Sequence, residues 1–108
     1  MIEDVAVEGV EGPQDLLGTI VIPKCGRDKG RPCVLFGWAD DEIALITDGR
    51  RRKVAKLKRK KMKHLVFTKY RHGEIYLGLI SGGQVTDRMV REGLAAFGEQ
   101  TGEGRQYG

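Results

Sequence analysis

Between Leu17 and Thr68 the apolar residues fall in short clusters separated by turn-forming residues, a pattern that predicts strands. Leu17-Gly18-Thr19-Ile20-Val21-Ile22 is rich in β-branched side chains and predicts the first strand. Pro23 ends it, because proline has no amide hydrogen to give to a ladder. Cys33 to Trp38 predicts a second strand with Val34, Phe36 and Trp38 on one face. A polar turn at Asp40-Asp41 leads to a third strand over Ile43 to Thr47, and Asp48-Gly49 supplies the positive φ that a hairpin turn needs. A fourth strand is expected around Arg52 to Leu57 and a fifth over His64 to Thr68. Five short strands joined mostly by tight turns make an antiparallel meander, and bending it into a small barrel removes its exposed edges. Ile20, Ile22, Val34, Phe36, Ile43, Leu45, Leu65 and Phe67 are the residues expected to fill it.

The pattern then changes. Ile75 to Ile80 is an apolar run read as helix, and Ser81-Gly82-Gly83 breaks it. Ser81 or Thr86 caps a second helix running to about Phe97, with Val90, Leu94 and Phe97 along one face. The chain therefore reads as mainly β. A flexible acidic segment occupies residues 1–15, a five-strand antiparallel barrel 16–70, a helical appendage 71–98 and a flexible tail 99–108.

Length and apolar content, 108 residues and 40 %, suit one domain with one modest core. Charge alters the picture more. Residues 50–71 hold twelve lysines and arginines and no carboxylate, whereas the remainder is acidic, with seven bases against fifteen acids. So steep a division points to a polyanionic partner, nucleic acid first among them. No run reaches the length of a membrane span, and the first residues are acidic where a targeting peptide would be basic, so a cytoplasmic address is expected. Cys25 and Cys33 have no companion at a zinc-ligand spacing, and reduced thiols suit that address. There is no nucleophile–base pair and no cluster of carboxylates in apolar surroundings. Gly82-Gly83-Gln84 matches the tripeptide that peptide-release factors use, but it reads here as the turn before a helix. The expectation is a protein that is not an enzyme, with no cofactor, no metal, no membrane and no small-molecule substrate.

Two groups of residues are candidates for the polyanion. In Gly26-Arg27-Asp28-Lys29-Gly30-Arg31, the bracketing glycines, Gly30 included, let a phosphate approach the backbone, and Asp28 is expected to bond the loop's own amides. Lys24, Arg27, Lys29 and Arg31 project from that loop. The second group is Arg50, Arg51, Arg52, Lys53, Lys56, Lys58, Arg59, Lys60, Lys61 and Lys63, where arginines can grip phosphates bidentately and lysines act as point charges. Like charges so crowded repel, which predicts an extended or mobile segment until an anion neutralises it. Val54, Leu57, Met62 and Leu65 interleave the charges as apolar anchors. The aromatics read as core residues, with Trp38 and Tyr70 the exceptions that could stack on bases, so recognition should rest on phosphate position and backbone shape. The first fifteen residues carry five carboxylates and no base, and are expected to fold back and tune affinity.

Gly18 through about Leu45, with its strand, Gly-bracketed basic loop and second strand, resembles the KOW motif of ribosomal proteins and transcription elongation factors. Asp48-Gly49-Arg50-Arg51-Arg52-Lys53-Val54 and Lys58-Arg59-Lys60-Lys61-Met62-Lys63-His64-Leu65 extend the likeness. It is then to small KOW-domain RNA-binding proteins related to a large-subunit ribosomal protein family of archaea and eukaryotes. The resemblance covers residues 17–68, about half the chain. It implies an SH3-like barrel that binds structured RNA, chiefly ribosomal RNA, without catalysis. The implied setting is a translation-associated ribonucleoprotein with ribosomal proteins as neighbours. The acidic N-terminal extension and glycine-rich C-terminal part depart from the family pattern. The competing reading is an SH3-like protein-interaction module of the translation or transcription machinery, docking through Val90, Leu94 and Phe97. Double-stranded DNA and a membrane surface rank below both.

Overall fold

Thr19 to Pro23 (β1) is an interior strand of one antiparallel sheet, and all five of its residues are buried. The computed structural model describes residues 16–101, with side chains through Gly98. Residues 1–15 and 102–108, and with them the acidic segment and most of the expected tail, lie outside the described residues. Four further strands follow: Cys33–Trp38 (β2), Ile43–Thr47 (β3), Lys58–Lys61 (β4) and Leu65–Arg71 (β5). A 3₁₀ turn at Met62–His64 joins the last two, and helices Gly73–Ser81 (α1) and Asp87–Thr101 (α2) complete the chain. The strand order is β4-β3-β2-β1-β5, every pair antiparallel. The meander thus runs from β1 to β4, and β5 returns to the far side of β1, where Val21 faces Phe67 and Pro23 faces Leu65. β4 and β5 end the sheet, so the ladder is not closed into a barrel.

Alternation along β1 divides the core in two. Val21 packs with Leu17, Cys33, Leu35, Ala44, Ile46 and Leu65 on one face. Ile20, Ile22 and Val34 pack on the other against Ile75 of α1, Val85, and Val90 and Phe97 of α2. Each fully buried isoleucine contributes roughly 2–3 kcal/mol through area removed from water. The helices are therefore no appendage, because they cover one face of the sheet. The single filling expected above is corrected accordingly: Phe67 and Leu65 lie opposite Ile20, Ile22, Val34 and Phe36. On β3 the buried pair is Ala44 and Ile46, while Ile43 and Leu45 are half-buried.

Two further corrections have local causes. The ladder partners Leu35 with Ile46 but Gly37 with Leu45, a bulge that resets the alternation of β2. Trp38 therefore leaves the face of Val34 and Phe36 and stacks on Phe67 at 6.5 Å between centroids. The fourth strand is Lys58–Lys61, not Arg52–Leu57. It has no apolar residue, but as an edge strand it needs only backbone pairing, with Ile43 facing Lys61 and Ile46 facing Lys58.

Both predicted helices are present, capped by different means. His72 Nδ1 accepts the Ile75 amide at 3.2 Å and begins α1, so this histidine is half-buried structure, not a surface side chain. Thr86 Oγ1 accepts the Met89 amide at 3.2 Å and begins α2. Ser81 instead closes α1, and α2 continues to Thr101, past the expected start of the tail. No helix among the described residues is long and apolar enough to cross a membrane.

The two thiols are free, Cys25 exposed and Cys33 buried. Burial pushes the Cys33 thiol up to about 12, and the Asp48 and Asp28 carboxylates add to the shift. At pH 8 one thiol is expected to react rapidly with an aromatic disulfide reagent and the second only on unfolding; two rapid equivalents would contradict the burial. Because the unfolded thiol ionises near 9 and the folded one does not, this group makes stability fall as pH rises from about 9 toward 12.

Candidate nucleic-acid interface

The loop between β1 and β2 closes on itself through backbone bonds. Lys29 donates to the Gly26 carbonyl at 3.2 Å, Gly30 to Pro23 at 3.0 Å and Arg31 to Asp28 at 2.9 Å. Gly26 and Gly30 take the positive φ values, 88° and 79°, that this closure requires. Lys24, Arg27, Lys29 and Arg31 are all exposed. Asp28 behaves otherwise than expected. Its residue is 5 % exposed, and the carboxylate turns to the β3–β4 loop, accepting from Arg52 Nε at 3.3 Å and pairing with Arg51 Nη1 at 4.0 Å. Asp28 thereby ties together the two cation-bearing loops, its carboxylate turned inward to the arginines. Lys60 adds a second tie, its ammonium donating to the Cys25 carbonyl at 3.0 Å.

The β3–β4 loop is held with few free backbone groups. Asp48 accepts from the amides of Arg50 at 2.8 Å and Arg52 at 2.9 Å, and the Arg52 carbonyl receives the Asp48 amide at 3.0 Å and the Thr47 hydroxyl. Helix α2 grips the same loop from behind. Asp87 accepts the Val54 amide at 2.8 Å, and Arg91 donates to the Gly49 carbonyl at 3.0 Å. Val54 packs against the helix-side core. The carboxylates around this loop are thus spent on backbone and on Asp28's two arginines, leaving the remaining cations without acidic partners.

What remains outward is a depression of about 580 Å³ lined by Arg51, Arg52, Lys53, Lys56, Lys58 and Arg59 around Leu57. No carboxylate lines it. Among the described residues, Lys24, Arg27, Lys29, Arg31, Arg50, Lys53, Lys56, Lys58, Arg59, Lys61 and Lys63 form no salt bridge. Lys61 and Lys63 stand apart from the depression, lining a hollow of about 330 Å³ with Glu42 and Met62. The crowded segment is extended where it forms β4, as expected, and is a hydrogen-bonded loop before it. Half of it is the ordered loop and half the edge strand, where successive side chains diverge to opposite faces and so lessen the repulsion.

Sequence reasoning missed the supports Asp48, Asp87 and Arg91. A local Asp-Gly turn signal could have suggested the first, but no sequence signal joins Asp87 to Val54 across 33 positions. It also left Lys69 and Arg71 unassigned. Both aromatics considered for stacking are engaged within the fold, Trp38 on Phe67 and Tyr70 edge-on to Phe97 at 5.4 Å. A concave surface on which cations far outnumber acids, with Asp28 alone pairing two of its arginines, can bind closely spaced phosphates. No family model matches the chain, and a search of curated proteins finds no match either.

Proposed function

We propose that this protein binds structured RNA through the depression and the adjoining Lys24–Arg31 loop, as a non-catalytic, translation-associated factor for which ribosomal RNA is the foremost ligand. On the same reading its five strands follow the KOW-type SH3-like arrangement, left open between β4 and β5. The order β1, basic loop, β2 and the return of β5 to β1 support that assignment. One observation carries the function: Asp28 draws Arg51 and Arg52 against the glycine-bracketed loop, so that cations distant in sequence occupy one surface. The exposed cationic heads make most of the contacts, which favours reading of phosphate spacing over base identity.

Salt titration tests it directly. If about six phosphates are neutralised, the logarithm of affinity for a folded RNA is expected to fall with a slope of roughly −4 to −5 against the logarithm of salt concentration. A flat response would refute the proposal and favour a protein-interaction module. Competition between folded RNA and duplex DNA separates the two polymers. Crosslinking in cells, with sequencing of the attached fragments, identifies the RNA.

A further inference from the structure

A second concavity lies at the end of β5. It occupies about 310 Å³ between that strand and α2, and none of its lining residues is acidic. Half-buried Tyr70 and exposed Ala96 line it over buried Phe97, with Lys69, Arg71 and His72 at its sides. We infer that this notch receives one unpaired nucleotide of the bound RNA, its base against Tyr70 and its phosphate toward Lys69. The inference rests on the RNA-binding reading above and adds to it a site for a base.

Three features point to a nucleotide. The volume lies at the lower end of the ~300–1,000 Å³ of small-molecule sites, room for one nucleotide and not for a length of strand. The Tyr70 ring is already oriented by its edge-on contact with buried Phe97, at 74°, so a base that lands on it orders little that was free. One charge is positioned as well. The Lys69 ammonium lies 6.0 Å from the Tyr70 centroid, whereas the Arg71 guanidinium is held 4.1 Å over the Tyr76 ring, outside the notch lining. Glu92, adjacent to the notch in sequence, is occupied by Arg88 at 3.0 Å.

His72 contributes a donor. Because its Nδ1 accepts the Ile75 amide, the neutral ring carries its hydrogen on Nε2, suited to a base carbonyl. Helix α2 links the two sites, since Arg91 holds the cationic loop and Ala96 lines the notch.

The test compares two hairpin RNAs with the same stem, one fully paired and one carrying a single unpaired adenosine. The bulged hairpin is expected to bind about tenfold more tightly, in keeping with the usual strength of base–aromatic contacts. Ala96→Leu fills the notch from an exposed helix position without removing a packing residue. It should erase that difference and leave the paired hairpin's affinity unchanged. Adenosine monophosphate should shift the amide resonances of Tyr70, Arg71 and Gly93 in the parent protein but not in the variant. Equal affinities for two hairpins that both bind would overturn the notch while sparing the RNA reading. Binding of neither hairpin, with the nucleotide still shifting those resonances, would overturn the RNA reading and keep the notch as a nucleotide site. If neither hairpin binds and no resonance shifts, both fall.

Discussion

Reversing two charges of the depression, Lys56→Glu with Arg59→Glu, is expected to weaken binding of a folded RNA about a hundredfold at moderate salt. Each reversal removes an attraction and adds a repulsion. At about 1 kcal/mol per contact in a high-dielectric surface setting, partly screened, the pair is worth about 3 kcal/mol. The salt slope should also flatten by about two, one for each phosphate no longer neutralised. Both residues are exposed and form no salt bridge among the described residues, so the fold should tolerate the change. A melting temperature within a few degrees of the parent's certifies that control. Unaltered affinity and slope in a folded variant would remove the depression from the binding surface.

The largest loss of stability is expected from Gly49→Ala. Gly49 has φ 75°, a conformation that costs an L-residue about 1 kcal/mol or more. A methyl group there would lie 2.7 Å from the Asp87 carbonyl oxygen and 3.0 Å from Arg91 Cγ. The carbonyl belongs to the first turn of α2 and cannot retreat without loosening the Asp87–Val54 and Arg91–Gly49 bonds. Strain and clash together should cost about 3 kcal/mol, lowering the melting temperature by on the order of 15 °C. Since the same turn anchors the cationic loop, amide hydrogens over residues 50–57 should also exchange faster. A melting temperature unchanged by the substitution would show that helix and loop are not packed as described.

The contrast between Gly49 and Asp28 shows what the chain discloses by itself. An Asp-Gly pair announces a turn because the φ requirement is local, and β1, β2, β3 and both helices were legible for the same reason. Asp28 carried an equally local expectation, a bond to neighbouring amides, but the guanidinium 24 positions away won. A charged hydrogen bond in a half-buried site outweighs a solvated neutral one. Trp38 was misplaced because one extra residue in β2 inverts every later side chain, and Gly37, the glycine inside the strand that marks the bulge, was read as ordinary strand. β4 was missed because hydrophobic periodicity cannot reveal a strand with no hydrophobic residue. Of the candidate site, the cations were readable from composition; their convergence was not, because it depends on ties from Asp28, Lys60, Asp87 and Arg91.

That all-cationic edge has an effect on the protein's own company. An unpaired strand margin ordinarily invites another copy to add its backbone and begin a fibril. Lys58-Arg59-Lys60-Lys61 forbids this by mutual repulsion, which keeps neighbouring molecules apart at high concentration. The safeguard is electrostatic and therefore reversible: a polyanion that quenches these four charges also unlocks the margin, so solubility should be poorest where protein and nucleic-acid charge balance.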